Sequence, residues 1–124
     1  MRLCLTLAGL MLVATAAADG QISPRFATSQ ISSEQWQTYL SEVKVVADVQ
    51  CKVDADSKAY MCRSSAQRTL WVFTRKGHPA HPAVFRGVIV IQQTPQGPSV
   101  DLDRSGHYAG NRAAFEVWMK EFGA

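Results

Sequence analysis

Val49-Gln50-Cys51-Lys52-Val53-Asp54-Ala55-Asp56-Ser57-Lys58-Ala59-Tyr60-Met61-Cys62-Arg63 decides the fold, because it contains two strands, a turn and a cross-link in one reading. From Val45 the apolar period is two. Val45, Ala47, Val49, Cys51 and Val53 face one way, and Lys44, Asp48, Gln50, Lys52 and Asp54 the other, with Val46 the exception. That alternation predicts a half-buried strand from Val45. Asp54 to Lys58 is a turn and Ala59 to Arg63 a second strand. Folded antiparallel, the two set Val53 opposite Tyr60 and Cys51 opposite Cys62. Opposed residues share a face about 5 Å apart at Cα, within reach of a disulfide.

Working upstream, Ser32 with Gln35 three residues on fits a capping box, and Ile31 can staple onto Trp36. Trp36, Tyr39, Leu40 and Val43 follow at helical spacing, so a short helix is expected there. Downstream, Thr69 to Thr74 is apolar on both faces and predicts an interior strand. Gly77, Pro79 and Pro82 break the chain between Arg75 and Pro82. Ala83 to Gln92 predicts a further strand, central because Val88-Ile89-Val90-Ile91 is apolar on both faces. Thr94 to Pro98 is a turn. Val100 and Leu102 then alternate with Ser99, Asp101 and Asp103, as in an edge strand. Ser105 to Gly110 reads as loop. Asn111 caps a last helix with Ala114, Phe115, Trp118 and Phe122 on one stripe, and Glu116 and Lys120 spaced to pair. The expected fold is α+β: an antiparallel sheet of about five strands in a meander, flanked by a short N-terminal helix and a C-terminal helix, with both helices on one face and one disulfide.

Residues 1–18 carry Arg2, an apolar run from Leu3 to Ala14, and small residues from Ala14 to Ala18. This is the layout of a secretory signal peptide cut after Ala18, and it is too short for a transmembrane helix, which needs roughly 20 apolar residues. The expected organisation is a signal peptide over 1–18, a flexible N-terminal arm over 19–30 and a single domain over 31–124. The expected location is periplasmic or secreted, with no transmembrane segment in the mature chain. Without Cys4 the chain keeps an even pair of cysteines, which in an exported protein reads as the Cys51–Cys62 disulfide.

The formal net charge is +3, and it falls to +2 when Arg2 is removed, since Arg2 is the sole charged residue of 1–18. Lys and Arg are interleaved with acids rather than clustered, which argues against a nucleic-acid partner. Two constellations could carry function. Trp71, Phe73, Arg75, His78, His81, Arg86 and Tyr108 would gather aromatic faces and guanidinium forks around the proline loop, a mixture suited to a protein partner or an envelope component. Alternatively, His78, His81 and His107 would supply imidazoles to zinc or copper. In polyproline II, His78 and His81 lie on one side, about 9 Å apart at roughly 3.1 Å per residue.

Catalytic signals are weaker. Ser64, Ser65, Asp101, Asp103 and His107 are hydrolase residue types, but no Gly-x-Ser-x-Gly elbow is present. The leading expectation is a small exported non-catalytic binding or inhibitor-type domain with no cofactor. A periplasmic transition-metal binding protein is the alternative, and a small hydrolase the third reading.

Overall fold

A computed structural model describes residues 26–123. The proposed signal peptide and residues 19–25 of the arm lie outside the described residues. The order is α1 (Ser33–Lys44), β1 (Gln50–Asp54), β2 (Ala59–Ser64), β3 (Thr69–Thr74), β4 (Ala83–Thr94), β5 (Gly97–Tyr108) and α2 (Arg112–Lys120). The five strands form one antiparallel sheet in sequence order. Among the described residues no helix is long and apolar enough to cross a membrane.

The first hairpin has the register expected, with Cys51 opposite Cys62 and Val53 opposite Tyr60. Cys51 and Cys62 are joined, their Cα atoms 4.0 Å apart. The strand itself starts later than Val45. The Val45 N–H caps the end of α1 on the Glu42 and Val43 carbonyls, and the chain turns through Val46 to Asp48 before β1 begins. Val45 is thereby left 81% exposed, and Val53 is also on the surface. The Ser32 capping box is formed in both directions, Gln35 N–H to Ser32 Oγ at 3.0 Å and Ser32 N–H to Gln35 Oε1 at 2.8 Å. The Asn111 side chain accepts from Ala114 N–H at 2.8 Å. On α2, Glu116 pairs with Arg112 at 3.2 Å and not with Lys120.

The helices do not share a face. Trp36, Tyr39, Leu40 and Val43 of α1 pack on Cys62, Trp71, Phe73 and Val84. Phe115 and Trp118 of α2 pack on Ala59, Val72, Ala83 and Phe85 across the sheet. The reason is in β3, whose successive side chains point to opposite faces and are apolar on both. A middle strand of that kind needs a cover on each side, and each helix supplies one. Trp36 Nε1–H donates to the Ala83 carbonyl at 2.8 Å and Trp71 Nε1–H to the Tyr39 hydroxyl at 3.1 Å, so both indoles are bonded inside the first core. Phe122 stacks on Phe85 with ring centroids 4.0 Å apart.

The end of the arm is tied down. Tyr108 N–H donates to the Ser29 carbonyl and Ile31 N–H to the Tyr108 carbonyl, both at 2.8 Å. Gln30 thereby forms a parallel bridge to the end of β5. The segment from Ser105, expected as loop, belongs to β5 as far as Tyr108. Gly110 follows because the chain passes close to the proline loop there. A Cβ at Gly110 would meet the His81 carbonyl oxygen at 2.5 Å.

Candidate functional site

The proline loop is not a polyproline II segment. His78 N–H donates to the Arg75 carbonyl and His81 N–H to the His78 carbonyl, both at 3.0 Å, so the loop folds as two successive turns. Gly77 allows the first with a φ of 100°. The turns send the two imidazoles to different helices. His78 lies edge-on to Trp118 of α2 at 5.3 Å, and His81 edge-on to Trp36 of α1 at 5.1 Å. His107 meets Phe26 at 5.0 Å on the α1 side.

Each histidine is also engaged through Nδ1. That of His78 accepts from Ala80 N–H, that of His81 bonds the Thr74 hydroxyl at 2.9 Å, and that of His107 donates to the Thr28 carbonyl at 3.1 Å. Burial is the largest influence on all three rings and holds their protonation below the usual histidine range. Among the described residues no three His, Cys, Asp or Glu side chains are placed to hold a metal ion together. The zinc or copper arrangement of His78, His81 and His107 is not assembled.

The aromatic part of the expected binding surface is core. Trp71 and Phe73 are fully buried and Tyr108 nearly so. Arg75 is exposed, Arg86 half-buried, and Ala80, in the middle of the loop, is fully buried. The loop therefore contributes to folding. Replacing His78 and His81 together by alanine is expected to lower stability by roughly 1–3 kcal/mol, from the lost bond to the buried Thr74 hydroxyl and the two ring contacts. A denaturant melt checks this; a change of a few tenths would place the rings at the surface.

The hydrolase residues are dispersed or structural. Ser64 donates to Asp48 Oδ1 at 2.7 Å, and Ala66 N–H donates to Asp48 Oδ2 at 2.8 Å. These bonds lower the Asp48 pKa, the Ser64 hydroxyl most, and tie the β2–β3 turn to the connection between α1 and β1. Ser65 is exposed, and Asp101 and Asp103 stand on the edge strand β5, also exposed.

The surface that stands out is one the sequence reading placed inside. β3 pairs with β4 only as far as Thr69 opposite Val88, whereas β4 and β5 pair for their whole length, to Thr94 opposite Gly97. Residues 89–102 therefore project beyond the sheet as a two-stranded ribbon. On its α2-facing side Ile89 opposes Leu102 and Ile91 opposes Val100. Among the described residues nothing covers them fully: Ile89 is 46% exposed, Ile91 44% and Val100 70%. The same face continues through Gly87 to Leu70 and Met61, where a groove of about 250 Å³ is lined by Gln50, Lys52, Met61, Arg63 and Leu70. Lys52, Arg63 and Arg104 give this apolar strip a basic border. The signal was present in the sequence as the doubly apolar run Val88–Ile91; what could not be read was that β3 stops beside it.

Comparison of the chain with protein families, with curated proteins and with solved structures finds no match.

Proposed function

We propose that this is a small exported, periplasmic or secreted, non-catalytic binding domain that engages a protein partner through the apolar face of the β4–β5 ribbon. One observation carries the reading. A strand whose sequence is apolar on both faces, as buried strands are, has no cover on its Ile89 and Ile91 side within the described chain. Contiguous apolar patches of this kind mark interaction sites on soluble proteins. The disulfide fits an oxidising compartment, and the run over residues 1–18 fits export. The border of Lys52, Arg63 and Arg104 favours a partner with an apolar centre and an acidic rim.

The experiment compares capture from periplasmic extract by the wild type, by Ile91→Lys/Val100→Lys, and by Val45→Lys as an exposed control away from the ribbon. The ribbon variant is expected to lose capture by roughly tenfold or more, because two charges would be buried without partners at the contact. Its melting temperature should stay near wild type, since exposed substitutions usually change stability by about 0.5 kcal/mol or less. Equal capture by the wild type and the ribbon variant would contradict the assignment.

A further inference from the structure

The α1-facing side of β4 and β5 carries a polar cluster that the ribbon does not use. Arg86 on β4 stands directly opposite Ser105 on β5, and His107 follows two residues along on the same face. Among the described residues, the buried side-chain polar atoms without a hydrogen-bond partner are Arg86 Nε, Ser105 Oγ and His107 Nε2. Buried polar groups in folded proteins are nearly always bonded. Three such atoms fall on one patch and none elsewhere in that set, which singles the patch out as a place for a shared partner.

Arg86 adds a second anomaly. A guanidinium is positively charged in proteins, and this one is half-buried, yet among the described residues no carboxylate lies within 4.0 Å of it. The only ion pair among the described residues is Arg112 with Glu116. The Arg86 charge is felt at the Tyr39 hydroxyl, where Glu42 of α1 acts with opposite sign. Glu42 does not close on Arg86. An unpaired guanidinium out of full contact with water favours an anion beside it.

His107 sets the polarity of the patch. The Thr28 carbonyl can only accept, so His107 Nδ1 carries the hydrogen and Nε2 of the neutral ring is a bare acceptor. The cluster thus offers two donors, Arg86 Nε–H and Ser105 O–H, on opposed residues about 5 Å apart. It offers one acceptor, Nε2 of His107, a residue whose Cα lies about 7 Å further along the strand. A ligand that satisfies all three has a carboxylate at one end and an N–H one carbon away. A monoanion also balances the single fixed charge of Arg86, which a dianion such as phosphate would exceed.

We propose that Arg86, Ser105 and His107 form a binding site for the carboxylate end of an acylated peptide chain, with the carboxylate on Arg86 and Ser105 and the last amide N–H on His107 Nε2. The ring of Phe26 stands 5.0 Å from His107 and 5.9 Å from Tyr39, at the His107 end of the site. The site is on the opposite face from the apolar strip and is independent of it.

The test is a ¹⁵N NMR titration of the exported, oxidised protein with N-acetylglycine, sodium acetate, N-acetylglycinamide and orthophosphate in turn. N-acetylglycine should give a saturable shift of the Arg86 Nε–Hε and His107 ring signals. Acetate, lacking the N–H, should bind roughly tenfold more weakly, and N-acetylglycinamide, lacking the carboxylate, should not shift them. Ser105→Ala should weaken N-acetylglycine with the rest of the spectrum unchanged, which keeps the test open if an Arg86 variant fails to fold. No saturable shift with N-acetylglycine would overturn the site. Acetate binding as tightly as N-acetylglycine would overturn the role of His107. Orthophosphate binding more tightly than either would overturn a peptide end in favour of a general oxyanion site.

Discussion

Trp71→Ala is expected to destabilise the protein by about 3–5 kcal/mol, the range for removing a buried large aromatic. Trp71 is fully buried in the middle strand, and its indole N–H is bonded to the Tyr39 hydroxyl. The substitution opens a cavity beneath α1 and deprives a buried hydroxyl of its donor. Burial already pushes the Tyr39 phenol up to about 12. Because that raised value favours the protonated phenol in the folded state, Tyr39 adds stability that is whole below about pH 10 and lost as pH rises through about 12. Denaturant unfolding followed by circular dichroism measures the Trp71→Ala effect. A loss under about 1 kcal/mol would mean that the first core collapses around the deletion and is not the close-packed layer described.

Trp118→Ala is expected to cost about as much, roughly 3–5 kcal/mol, but through the other face. Trp118 is buried in α2, with His78 and Phe122 edge-on to its ring at 5.3 and 5.2 Å. Its neighbour Val117 points to solvent at 64% exposure. Val117→Ala should therefore stay within about 0.5 kcal/mol, which makes it the internal control. Equal effects at the two positions would mean that α2 is rotated about its axis or not docked on the sheet.

The hairpin register was legible because two independent signals agree there, the alternation of β1 with β2 and the spacing of Cys51 and Cys62. The helix caps were legible because Ser32 and Asn111 act locally. What failed depended on neighbours far away in the chain. Val45 and Val46 are β-branched and Val45 fits the alternation, so little local distinguishes the exit from α1 from the start of a strand. The side on which each helix docks is a three-dimensional property, and its one-dimensional trace was the doubly apolar β3. Trp71, Phe73 and Tyr108 read as surface aromatics only if the proline loop is open. Turns at Arg75–His78 and His78–His81 instead bring Ala80 inward and send each imidazole to a tryptophan. The ribbon was misplaced for the complementary reason, since apolar content on both faces records what needs a cover and not where the cover comes from.

The central claim, that the exposed face of the ribbon is where a partner sits, is tested most directly by photo-crosslinking in the exported protein. A photo-reactive phenylalanine analogue replaces Ile91 in one variant, and Val45 or Val117 in two others, all on exposed positions. The account predicts one discrete heterologous adduct from position 91, with no adduct of that mass from positions 45 and 117. Adducts of the same mass from all three positions, or none from position 91 with a discrete one from position 117, would contradict it.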